Sequence, residues 1–106
     1  MTSLAISKNG VPIRLTEERW AHIVEEHSEL AGLLFEVLET VQDPQWIRGG
    51  REGELIAGRE SEPGKWFVVF YREASREDGF IITAFLTRRL ASIERRPLVW
   101  PTPSNS

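Results

Sequence analysis

Cysteine is absent from this chain of 106 residues. Without thiols it can hold neither a disulfide framework nor a thiolate metal site, and the expected compartment is a reducing interior, by default the cytoplasm. The opening stretch, MTSLAISKNG, lacks the basic end and apolar block of a secretory leader. The longest unbroken apolar run, WFVVFY, falls well short of the roughly 20 residues a membrane helix needs, so a soluble chain with no membrane partner is expected. Net charge is also small, at -3, which argues against coating nucleic acid by bulk electrostatics. Histidine is scarce, with two in the whole chain.

The charge that is present is unevenly placed. Residues 1–43 carry Lys8, Arg14 and Arg19 against eight acidic side chains, a net of -5, whereas residues 44–106 carry ten basic and eight acidic groups, a net of +2. Eleven of the thirteen basic residues are arginine, whose planar fork pairs bidentately with phosphate or carboxylate. If the chain binds RNA, the positive potential must therefore come from its second half, with Arg48, Arg59, Arg72 and Arg88 converging on one face.

The length suits one domain, assigned to residues 1–96, with the proline-rich 97–106 as a loose tail anchored if at all by Trp100. Asn9-Gly10 supports the positive backbone angles of a tight turn and predicts an opening hairpin. Thr16 can cap a helix that carries Glu17 and Glu18 in its first turn and runs to about Ser28. Leu30, Leu33, Leu34, Val37, Leu38 and Val41 form the apolar stripe of a second helix, stopped by Asp43-Pro44. Beyond it, aromatic and β-branched runs near 46–58, 65–72 and 79–88 predict three strands, the first broken at Gly49-Gly50. Their short connections require antiparallel neighbours, because a parallel crossover needs about a dozen residues or more. An α+β fold follows: a hairpin and two helices packed on an antiparallel meander.

His22 and His27 lie five apart in WAHIVEEH. On a helix that interval turns the two rings roughly 140° apart, too far to grip one ion in the manner of the zinc-protease signature, whose histidines are separated by about one turn. With no third histidine and no cysteine, metal catalysis is not expected. GGREGE lacks the Lys-Ser/Thr of a phosphate-binding loop, and no serine occupies a nucleophile elbow; no cofactor is expected. His27 falls on the face of Trp20, Ile23 and Val24, and His22 on the wetter side near Glu25 and Glu26. An ordinary account remains open at this point, with His27 as a half-buried helix-end residue and His22 as a surface one. The polar residues in or beside the apolar strands are Arg59, Lys65, Tyr71, Arg72, Thr83, Thr87 and Arg88; each is also an ordinary strand or strand-end residue.

The segments RW-HI---H (Arg19 to His27), G--GE--A-R (Gly50 to Arg59), KWFVVFYRE (from Lys65) and DGFIITAFLTRR (from Asp78) occur in an order and spacing that resembles the phage-associated branch of the Barnase–EndoU–colicin–RelE-like nucleases. The likeness spans about residues 13 to 89. It implies a metal-independent endoribonuclease of toxin type, with RNA as substrate and a cognate antitoxin or immunity protein as possible partner. The mechanism it implies needs a histidine base, and because His27 shares the sheet-facing stripe of Trp20, Ile23 and Val24, His27 is expected to be the principal acid–base catalyst and His22 an auxiliary or surface residue. Arg59 and Arg88 stabilise the phosphorane, and Tyr71 or Thr87 orients the phosphate or assists the leaving oxygen. Lys65, Arg72, Thr83 and Arg48 then bind substrate. A non-catalytic protein- or RNA-binding module of the same fold is the alternative.

Overall fold

The Asn9-Gly10 turn closes as its composition demands, with Gly10 at φ 80° in the left-handed region. It folds β1 (Ser3–Ile6) back on β2 (Pro12–Leu15) in antiparallel register. The turn is tied down from a distance, since Ser7 Oγ and Asn9 Nδ2 both donate to the Glu73 carboxylate, at 2.6 and 2.9 Å. The structure is a computed structural model and describes residues 1–102.

Thr16 caps α1 (Glu17–Glu26), its Oγ1 accepting from the Arg19 N–H at 3.1 Å, with Glu17 and Glu18 beside the positive end of the helix dipole. The helix ends at His27, slightly short of the expected Ser28, and a single 3-10 turn (Ser28–Leu30) follows. Gly32 at φ 79° then interrupts the chain, so that α2 (Leu34–Gln42) begins later than its leucine stripe suggests. Leu30 still joins the buried core, from the 3-10 turn instead of the helix.

Strands β3 (Trp46–Gly49), β4 (Leu55–Glu62), β5 (Lys65–Glu73) and β6 (Gly79–Thr87) form the expected antiparallel meander, with the break after Gly49. Two features complete a seven-stranded mixed sheet in the order β1-β2-β6-β5-β4-β3-β7. First, β2 pairs in parallel with β6 through Ile13↔Gly79 and Arg14↔Phe80. The hairpin, expected to pack with the helices on the meander, thus joins its sheet, and in parallel, because short loops dictate the pairing only of neighbours in sequence. Second, after a one-turn helix α3 (Ala91–Glu94), the segment read as tail supplies β7 (Leu98–Trp100), which pairs antiparallel with β3. Lys8 Nζ sits 4.7 Å over the Trp100 ring, which adds a cation–π contact to that anchor.

Alternation along WFVVFY divides the core. Phe67, Val69 and Tyr71 face the helices with Ile23, Leu30 and Val41, while Val68 faces the other side with Ile56 and Ile93. Both sets are buried, as a central strand of continuous apolar character requires. Full burial of such a side chain contributes about 1.5–3 kcal/mol. On the face away from α1 and α2 the Trp46 indole lies across Gly58, where an added Cβ would overlap the ring. β2 pairs with β6 only at Gly79 and Phe80; from there on α1 and the 3-10 turn pack beside β6. Among the described residues no helix is long and apolar enough to cross a membrane.

Candidate functional site

The packing of α1 beside β6 brings its C-terminal residue against that strand. The His27 side chain is 32% exposed, and its ring lies 5.8 Å from that of Phe85, tilted by 39°. Its Nδ1 is 3.7 Å from Glu29 Oε2, too long for a committed hydrogen bond. His22 points elsewhere: it is exposed, with Nε2 3.0 Å from Glu26 Oε1 one turn along the same helix. Among the described residues no group of three or more histidine, cysteine, aspartate or glutamate side chains could hold a metal ion.

The strand residues named from the sequence divide among three places. At the end of the sheet where β6 finishes and β5 begins, Thr87 stands opposite Trp66, which puts Lys65 and Arg88 at the next rung. Arg88 Nη2 meets Glu62 Oε1 at 2.8 Å, with both side chains more than half exposed, and its Nη1 donates to the Pro63 carbonyl at 3.4 Å. Thr87 Oγ1 accepts from the Arg89 N–H at 2.9 Å. Phe85, the neighbour of His27, is two positions before Thr87 and three before Arg88, its backbone roughly 10 Å from that of Arg88 at ~3.3 Å per residue.

Arg59 occupies a second place, on the helix side of β4. Its Nε is 3.4 Å from Glu39 Oε1, and its Nη1 is 2.8 Å from the Asp43 carbonyl and 3.2 Å from Asp43 Oδ2. The third place is the opposite sheet face. There Arg72 Nη2 donates to the Glu52 carbonyl at 3.0 Å and Arg48 Nη1 to the carbonyls of Arg96 and Glu94 at 2.9 and 3.3 Å; Thr83 pairs with Phe70 on the same side.

Two expectations are therefore corrected. The four arginines do not converge on one face, because alternation sends Arg48 and Arg72 away from the helices and the α2 carboxylates draw Arg59 toward them. Tyr71 is not open to a substrate: it is fully buried beneath the helices, and its hydroxyl has no hydrogen-bond partner among the described residues. Burial, followed by the nearby Glu73 charge, raises its pKa well above that of an ordinary phenol.

Phe85 is the neighbour of His27 that sequence reading passed over. Apart from Thr83 and Thr87, GFIITAFLT reads as an apolar strand, and nothing among its apolar residues distinguishes the one that meets His27. Comparison of the chain with family models, with curated proteins and with solved structures finds no match in any of the three.

Proposed function

We propose that the chain is a metal-independent endoribonuclease of toxin type that works at the C-terminal end of β6. The observation that carries this reading is the position of His27, whose half-exposed ring rests on Phe85 at the end of the sheet that also holds Thr87, Arg88 and Lys65. Imidazole is the side chain best suited to proton transfer near neutral pH. In the proposed reaction His27 takes the proton from a ribose 2′-hydroxyl. The 2′-oxygen bonds to the adjacent phosphorus and the bond from phosphorus to the 5′-oxygen breaks; that oxygen takes a proton from solvent water and leaves a cyclic phosphate behind it, while the His27 imidazolium gives its proton back to solvent.

Arg88 and Lys65 supply positive charge for the phosphate, and Thr87 a hydroxyl to orient it. The Arg88 pairing with Glu62 is exposed, and exposed ion pairs contribute only about 0–1 kcal/mol, so a phosphate can displace the carboxylate at small cost. The helices packed on one face of a sheet that contains a meander are consistent with the Barnase–EndoU–colicin–RelE-like architecture. A cognate antitoxin or immunity protein is the partner this reading implies.

A second reading, a non-catalytic protein- or RNA-binding module of the same fold, is favoured by Arg59, which is engaged by both Glu39 and Asp43 and offers no free phosphate site.

The test is incubation of purified protein with total RNA in EDTA, followed by mapping of the cut ends. Cleavage leaving cyclic phosphates is expected, with a loss of about 10²–10⁴-fold in folded His27→Ala and a milder effect in His22→Ala. Full activity of folded His27→Ala overturns the assignment of His27. Absence of cleavage by the unaltered protein, with retained RNA or protein binding, establishes the second reading instead.

A further inference from the structure

The sheet face opposite α1 and α2 holds a cleft of about 460 Å³, within the range of small-molecule sites. Its floor is apolar, made by Ile56 of β4, Phe70 of β5 and Ile93 of α3. Its rim carries two arginines beside Glu52, Glu54, Gly50 and Ser92. Arg51 and Arg96 line it directly, and Arg72 is fastened to the carbonyl of Glu52, another rim residue. Arg48 lies behind, hydrogen-bonded to the carbonyls of Glu94 and Arg96, while Arg96 Nε donates to the Gly49 carbonyl at 2.9 Å.

The partners of these guanidinium groups set them apart from the other arginines. Among the described residues the ion pairs of arginine belong to Arg14, Arg59 and Arg88. Arg48, Arg72 and Arg96 hold main-chain carbonyls instead, which fixes their positions without neutralising their charge. Arg48 Nε is shielded from solvent with no hydrogen-bond partner among the described residues. Two carboxylates, Glu52 and Glu54, share the rim, and Glu54 Oε1 is turned inward to accept from the Glu52 N–H at 3.0 Å. The two lining arginines balance these two carboxylates, and the excess of positive charge at this recess comes from Arg48 and Arg72 just outside it, in a chain whose total is -3.

An inorganic anion would engage the rim and leave the apolar floor uncovered; a neutral aromatic would do the reverse. We propose that the cleft binds a phosphorylated nucleotide, with the base against Phe70 and Ile93 and the phosphate on the guanidinium groups of Arg51, Arg72 and Arg96. Bidentate pairing of arginine with phosphate and stacking of a base on an aromatic ring are the chemistry involved. The nucleotide can be free or part of an RNA strand. His27 does not line the cleft, but Phe85 links the two, its ring 6.0 Å from that of Phe70 and 5.8 Å from that of His27.

Calorimetric titration of the full chain at low salt provides the test. The probes are adenosine and guanosine 5′-monophosphate, adenosine, inorganic phosphate and a short single-stranded oligoribonucleotide. Saturable binding of the nucleotides, tighter than that of adenosine or phosphate alone, is expected. Arg51→Gln and Phe70→Leu should each weaken it, the arginine variant by about tenfold or more. Arg51 is exposed, so its variant is expected to retain the fold, with circular dichroism as the check. Much tighter binding of the oligoribonucleotide supports the proposal with a strand as the source; binding of the free nucleotides alone supports it with a metabolite as the source. No saturable binding of either, affinity no better than that of inorganic phosphate, or indifference to both cleft variants overturns it. None of these results bears on cleavage by His27, which is read separately.

Discussion

Replacing Tyr71 with phenylalanine separates a catalytic tyrosine from a structural one. The ring is wholly buried between β5 and the helices, and the hydroxyl has no hydrogen-bond partner among the described residues. Near pH 7 the substitution removes no protein hydrogen bond and keeps the ring's volume, so stability should be unchanged or slightly raised; losing a buried hydroxyl without a partner is neutral to favourable. Alkaline pH gives the sharper contrast. The folded-state pKa lies above the unfolded value of about 10, since burial disfavours the phenolate. The fold therefore favours the neutral ring. This contribution is complete below the unfolded pKa and is lost as pH rises above it, because the unfolded chain releases the proton first. At pH 11 the loss amounts to about 1.4 kcal/mol, from RT ln(1 + 10) for an unfolded pKa near 10. Urea unfolding of the parent protein and Tyr71→Phe at pH 8 and pH 11 measures it, and the difference between the two proteins isolates Tyr71 from the lysines that also titrate. Because the chain has one tyrosine, the tyrosinate absorbance of the folded protein reports this residue alone. Titration near pH 10 in the folded state, or a loss above about 1 kcal/mol in Tyr71→Phe at pH 8, would refute the burial argument. Abolished RNA cleavage in a fully stable variant would restore Tyr71 as a participant in the chemistry.

Two further substitutions test how the helices and sheet are held. Thr16→Ala removes the acceptor for the Arg19 N–H and is expected to cost about 1 kcal/mol, or roughly 4 °C in melting temperature, as read by thermal unfolding. Gly58→Ala forces the Trp46 indole off β4 and should cost about 1–3 kcal/mol in urea unfolding, with a change in tryptophan fluorescence as that ring moves.

The sequence by itself determined the elements whose causes are local. Thr16 with the acidic residues behind it specified the start of α1, Asn9-Gly10 specified the turn of the hairpin, and the apolar run WFVVFY specified a strand covered on both faces. Helical position accounts for the exposure of His22 on α1, whereas His27 stands past the helix as its non-helical C-cap, and its contact with Phe85 comes from the packing of that end beside β6. Tertiary structure decided whatever depended on residues distant in the chain. The parallel pairing of β2 with β6, and the antiparallel pairing of β7 with an edge that local patterning left open, come from backbone groups seeking partners that no nearby segment supplies. The arginines show the same division. Alternation places each one on a face, but the final position of its charge depends on which carboxylate or carbonyl the fold brings within reach. Arg59 is drawn to Glu39 and Asp43 across from α2, whereas Arg48 and Arg72 are held open by main-chain carbonyls of loops that become neighbours only when the sheet closes.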